Sequence, residues 1–223
     1  LLNGWHTRAM TTLRRLFLPV GIALIAGISA AGTMLWWPES SPPTQEMVGT
    51  VLPNARALPA VDLSRHDGEP WQAAHPDAQW QFVFFGFTHC PDVCPTTLAD
   101  LAGMQQRLNQ AGSQSTPEVV FISVDPGRDT LSRLERYVGH FHDDFVGVTG
   151  EREAIDTLTR ALGISYTLHE PNADGDYAVD HSAAILLIDP SGQLRALWQP
   201  PHGRAVLAEE FMQIKKRFKG ARG

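Results

Sequence analysis

The 223-residue chain carries 18 basic and 24 acidic residues, a formal net charge of −6, and is 43% hydrophobic but only 19% charged. That balance excludes a largely disordered polymer and leaves enough chain to bury a core in one domain plus an appendage. The short Lys215-Lys216-Arg217 run reads as the solvated face of a last helix, so no nucleic-acid partner is expected.

From Leu16 to Trp37 no residue is charged, a run of about 22, and a helix crosses a bilayer with roughly 20 apolar residues. Arg14 and Arg15 precede the run, Glu39 follows it, and Trp36 and Trp37 stand where an interfacial aromatic belt lies. The positive-inside bias puts the N-terminus in the cytoplasm and everything after Trp37 outside. A cleaved signal peptide ending near Ser29-Ala30-Ala31 is the competing reading. Continuation of the run to the Trp pair favours an uncleaved transmembrane anchor over residues 1–38, and no Cys lies near it for lipoprotein processing. Beyond residue 38 the chain keeps 15 basic against 24 acidic residues, a net −9, which suits a partner with a basic patch.

The Pro- and Ser-rich stretch after the anchor makes residues 39–48 a linker, with a folded domain over 49–223. A β-rich segment is expected around Val51 to Trp71. Trp80 to Phe87 is a near-continuous apolar and aromatic run, typical of a central strand buried on both faces. Pro95 to Gln110 has helical periodicity through Leu98, Leu101, Met104, Gln105 and Leu108. Val119 to Val124 is a second buried strand, Leu131 to Phe141 a helix, and Phe145 to Val148 a short strand. Glu151 to Leu162 reads as a helix that Gly163 ends. Ala183 to Ile188 and Leu194 to Trp198 form a hairpin across the Asp189-Pro190-Ser191-Gly192 turn, and Val206 to Phe218 is a closing helix. This order predicts an α/β domain, a mixed sheet covered by helices on both faces.

The two cysteines are four residues apart, in Cys90-Pro91-Asp92-Val93-Cys94-Pro95, between a buried strand and a helix. In α/β sheets, ligands gather outside the carboxyl ends of the strands. Residues before Pro avoid helical angles. The pair is therefore expected in an open loop, with Cys94 at the helix N-cap and Pro95 the first helical residue. The positive end of the helix dipole should then lower the Cys94 pKa. Three uses compete: a structural disulfide, a redox dithiol, and a metal chelate. So short a disulfide loop contributes only about 2 kcal/mol through chain entropy. Sulfurs on a shared ion sit roughly 4 Å apart rather than bonded, and the three-residue spacer relaxes towards that geometry without forbidding a disulfide.

Of the nine His, His66, His75, His169 and His202 fall in expected loops or turns and read as solvated. His140 and His142, two apart on a helix, diverge. His89 adjoins Cys90 and is a secondary candidate for ligand or proton donor. His181, in Asp180-His181-Ser182 before a buried strand, is a polar position in an apolar surround. Asp180-His181-Ser182 is no local hydrolase triad, because neighbours in an extended chain face opposite ways.

Three segments together resemble the Sco/SenC family of copper proteins: GFTHCPDVCPTTL at 86–98, SVDPGRDT at 123–130 and DYAVDHSA at 176–183, behind a membrane anchor. The resemblance implies a thioredoxin-like fold in which a hairpin loop brings His to the cysteines. It implies Cys90, Cys94 and His181 as ligands of one copper ion, Cu(I) or Cu(II). Two soft thiolates and an imidazole suit trigonal Cu(I), whereas structural zinc prefers four protein ligands. Asp92, Asp125, Arg128 and Asp180 would support the site or the fold, with Asp125 and Arg128 read as a turn and helix-start lock before Leu131.

The function implied is a copper chaperone on the outer face of a cell inner membrane, facing the periplasm. It would take copper from a donor protein and deliver it to the binuclear copper site of cytochrome c oxidase subunit II. The alternative is a thiol-disulfide reductase that keeps the recipient's cysteines reduced, with Cys90 attacking and Cys94 resolving. A peroxidase is the weaker reading, because Gly86-Phe87-Thr88-His89-Cys90 lacks the Pro-x-x-x-Thr-x-x-Cys approach of peroxiredoxins.

Overall fold

The computed structural model describes residues 47–74, 79–113 and 116–220. The charge-free run Leu16–Trp37 lies outside them, and no helix among the described residues is long and apolar enough to cross a membrane. The elements in chain order are β1 (Thr50–Ala57), β2 (Leu63–Arg65), β3 (Gln81–Gly86), α1 (Val93–Gln110), β4 (Glu118–Ser123), α2 (Leu131–Gly139), β5 (Val146–Gly150), α3 (Arg152–Leu162), β6 (Tyr166–Leu168), β7 (Val179–His181), β8 (Ile185–Ile188), β9 (Gln193–Trp198) and α4 (Arg204–Gly220).

Seven strands form one mixed, thioredoxin-like sheet in the order β1-β9-β8-β3-β4-β5-β2. Strands β3, β4 and β5 run parallel, and β8, β9, β1 and β2 pair antiparallel. The β-rich leading segment thus splits, β1 closing one edge and β2 the other. All six residues of β3 are buried, and the pleat divides them between two cores. Phe82 and Phe84 pack with Leu98, Leu101 and Met104 of α1, Leu134 of α2 and Phe211 of α4. Val83 and Phe85 face the other way, with Ile155 and Leu158 of α3 and Leu63 and Trp71 of the leading segment. Burial on both faces is why the strand reads as an unbroken apolar run rather than an alternating one.

Three departures from the expected elements bear on the site. Helix α1 starts at Val93, with Asp92 as N-cap, so Cys94 lies in the first turn rather than at the cap. Pro95 tolerates this, because amides in the first turn have no intrahelical partner to lose. Helix α2 stops at Gly139, leaving His140 and His142 at and beyond its end. A separate two-stranded sheet, β6 with β7, sets Tyr166 opposite His181.

The site end of the sheet is the carboxyl end of β3 and β4; the other strands close around it. One closure is a buried carboxylate. Glu210 of α4 accepts the Trp198 indole N–H at 2.6 Å, the Gly49 amide at 2.9 Å and the Val48 amide at 2.6 Å. Glu210→Ala leaves these donors without their acceptor, and unfolding in urea should show a loss of about 3 kcal/mol. Glu210→Gln, which keeps one acceptor oxygen, should lose less. An Ala variant as stable as the parent would show that these bonds contribute nothing net.

Candidate metal centre

The chain leaves β3 at Gly86, turns through Thr88 and His89, and re-enters regular structure at Val93. This places Cys90 in the loop, half-buried, and Cys94 inside the helix, fully buried. Both are free thiols. The Cys94 sulfur packs over Gly86: a Cβ there would lie 2.5 Å from Cys94 Sγ and 2.7 Å from the Phe121 ring. His181, at the end of β7, brings Nε2 to 3.3 Å from Cys94 Sγ. The donor atoms of Cys90, Cys94 and His181 all lie within 4.8 Å of one another, and no other group of three or more His, Cys or acidic side chains that could hold an ion occurs among the described residues. Bonds of about 2.0–2.3 Å to one ion put donors roughly 4 Å apart, a spacing within the span of this cluster.

The imidazole is oriented from several sides. Its Nδ1 lies 3.1 Å from the Ser182 carbonyl, so Nδ1–H donates there and a neutral ring offers its Nε2 lone pair to an ion, the usual arrangement for a ligand. Phe84 and Phe87 meet the ring edge-on, with centroids 6.0 and 5.8 Å away.

The two sulfurs differ electrostatically. Cys90 is held far below the usual thiol range, at about 3. The Cys94 side chain is the main cause; burial opposes it; the His181 side chain and the Asp92 and Cys94 amides help. Cys94 is pushed up, first by its hydrogen bond with Cys90 and then by burial. This reverses the expected effect of the helix N-terminus. The Cys94 amide points at the Cys90 sulfur, 3.4 Å away, so the dipole favours thiolate on Cys90, while the Cys94 sulfur turns down into the core.

The other candidates separate. His89 is 40% exposed and is not among the donors that converge with the cysteines. Its Nε2 accepts from Arg133 at 2.8 Å, and its Nδ1 lies 3.2 Å from Thr88 Oγ1. Asp180 is exposed, and its carboxylate meets His169 at 2.7 Å. Asp92 is the exposed cap residue. His66 is not simply solvated: its Nδ1 accepts the Gly147 amide at 2.9 Å. Burial holds His202 below the usual imidazole range, and its Nε2 lies 3.3 Å from the Trp198 carbonyl oxygen. His75 lies outside the described residues.

Two supporting residues were not singled out in the sequence. Asp129, fully buried, accepts from the Thr88 amide at 2.9 Å, Thr88 Oγ1 at 2.5 Å and Ser123 Oγ at 2.6 Å, and so fixes the start of the cysteine loop. Tyr177 donates its hydroxyl to Asp125 at 2.5 Å. Both stand inside the segments at 123–130 and 176–183, and that position was the available signal.

Comparison with known proteins places this geometry among relatives. The SCO1/SenC family model matches residues 52–216. A Stutzerimonas stutzeri protein with a provisional copper-binding name is 35% identical over 163 residues, 73% of this chain and 76% of that one. Mouse mitochondrial SCO2 homolog is 37% identical over 155 residues, 70% of this chain but only 59% of that protein. The crystal structure of Arabidopsis thaliana ScoI with copper bound superposes with a TM-score of 0.66 at 32% identity, covering 72% of this chain and 98% of that one.

The asymmetry of the sulfurs predicts their reactivity in metal-free protein. A depressed pKa keeps Cys90 as thiolate at all pH values above about 3. Alkylation of Cys90 by iodoacetamide should therefore be fast and nearly independent of pH from about 5 to 8, where an ordinary thiol gains about tenfold per unit. Cys94 should resist throughout. Peptide mapping after brief alkylation checks this; equal labelling of the two, or a steep pH dependence at Cys90, would contradict it.

Proposed function

This chain belongs to the SCO1/SenC family, and from that premise we propose that it binds one copper ion through Cys90, Cys94 and His181 and delivers it during assembly of cytochrome c oxidase. The observation that carries the reading is the convergence of two unbridged thiols and one imidazole nitrogen within 4.8 Å. Soft sulfur donors and a single imidazole select copper over the harder divalent ions, and three donors leave a structural zinc site incomplete.

Copper is cargo here, so the site must admit it and give it up. Cys94 forms the floor and Cys90 the rim. An incoming ion meets the Cys90 thiolate first and then displaces the Cys94 proton, as deprotonated ligands require. On release, a recipient's ligand approaches from the Cys90 side and replaces the protein's donors one at a time, so that free ion is not shed. The recipient in this reading is the binuclear copper site of subunit II, loaded from a separate copper donor protein. The charge-free run Leu16–Trp37 would anchor the domain in the inner membrane, facing the periplasm.

The sulfur asymmetry also favours a second reading, thiol-disulfide reductase. The Cys90 thiolate would attack one sulfur of a recipient disulfide and expel the other as thiolate. Cys94 would then attack Cys90, release the second recipient thiol and leave a Cys90–Cys94 disulfide for an external dithiol reductant to restore.

His181→Ala separates the two. Copper chelation needs the imidazole, whereas thiol exchange needs only the sulfurs. The purified parent should bind one Cu(I) per chain. The variant should bind Cu(I) at least about tenfold more weakly and still form a reversible disulfide. In cells carrying only this variant at low copper, oxidase activity should fall as far as with Cys90→Ser. Near-normal oxidase activity, with copper binding lost in vitro, would overturn delivery and support reduction.

A further inference from the structure

We infer that Arg128 is a positioning residue for copper binding, holding the His181 arm against the sulfurs by clamping Tyr177. This rests on the copper reading above. The need for a clamp follows from how His181 is carried. Strands β6 and β7 have three residues each and form their own sheet. An isolated two-stranded ribbon is marginal in water. Of residues 169–178, which connect the strands, all but Tyr177 are exposed. Something outside the ribbon must fix where His181 sits.

Arg128 supplies the connection. Its Nε–H donates to the buried Asp125 carboxylate at 2.5 Å, and Nη1 donates to the Tyr177 carbonyl at 3.0 Å. The guanidinium lies 3.6 Å above the centre of the Tyr177 ring, and that ring's hydroxyl returns to the other Asp125 oxygen. The loop closed in this way joins the segment after β4 to Tyr177, two residues before the strand that carries His181. The guanidinium also approaches Phe87, 5.7 Å from the ring centroid, and Phe87 is one of the two rings that meet His181. Arg128 therefore touches the imidazole's supports both along the chain and through space.

A turn lock alone does not account for this. The turn is closed by backbone bonds, with the Asp125 carbonyl accepting from Arg128 at 3.2 Å and Asp129 at 3.0 Å. The start of α2 is capped by Thr130, whose side chain accepts the Arg133 amide. The reach to Tyr177 crosses 49 positions of sequence and serves neither the turn nor the cap. A planar guanidinium can stack and fork at once; a lysine ammonium cannot.

The test is a double-mutant cycle for Cu(I) affinity, measured by competition with a chromophoric chelator on the purified protein. Arg128→Gln should weaken binding about tenfold and should add no further loss in the His181→Ala background. Arg128→Lys, which keeps the charge beside Asp125, serves if the Gln variant does not fold, and should weaken binding by less. In metal-free Arg128→Gln and Arg128→Lys, the Cys90–Cys94 disulfide should form at the parent rate, because the sulfurs are not what the clamp holds. An equal loss with and without His181, or unchanged affinity, would overturn the inference. A parent that binds no copper, or whose affinity ignores His181→Ala, would instead overturn the copper reading, and this inference with it.

Discussion

Gly86 ends the central strand with no side chain, and the Cys94 sulfur fills the space a Cβ would need. The rest of the site depends on that contact. With its sulfur pressed against the strand and the Phe121 ring, Cys94 can enter the first turn of α1 and still face His181. The helix then starts two residues earlier than the prolines suggest, at Val93 rather than Pro95. Its first-turn amide turns towards Cys90, and the two thiols become unequal: one half-buried and held as thiolate, the other enclosed and held as thiol. A larger residue at 86 would displace the sulfur, and the alignment with the imidazole with it.

Around this contact lie two buried carboxylates, both completely shielded from solvent. Asp129 fixes the loop that leads to Cys90, and Asp125 fixes Arg128 and Tyr177 beside the His181 arm. Buried charges are tolerated when hydrogen-bonded: here each carboxylate accepts from groups on two different segments. They are placed where two stretches of chain, the cysteine loop and the His181 arm, come together from 87 positions apart in sequence. Precision at a metal site comes from such supports as much as from the ligands.

The central strands were legible because burial on both faces leaves unbroken apolar runs, as in Trp80–Phe87 and Val119–Val124. The helices were legible because Leu98, Leu101, Met104 and Leu108 recur at helical spacing. The convergence of His181 on Cys90 and Cys94 was legible only through resemblance, since nothing in residues 90–94 indicates which of nine histidines folds over them. The ribbon of β6 and β7 escaped because three-residue strands offer no period to read. The start of α1 was misplaced because the restriction on residues before proline was given more weight than it has in a first turn. Arg128 read as a local lock, since its tie to Tyr177 exists only in three dimensions.

The central claim is that two sulfurs and one imidazole hold a single ion. X-ray absorption at the copper edge of the Cu(I)-loaded protein tests it most directly. The account predicts a three-coordinate spectrum with two sulfurs at about 2.3 Å and one nitrogen at about 2.0 Å, the nitrogen shell vanishing in His181→Ala. A sulfur-only spectrum in the parent, or a nitrogen shell that survives His181→Ala, would contradict it.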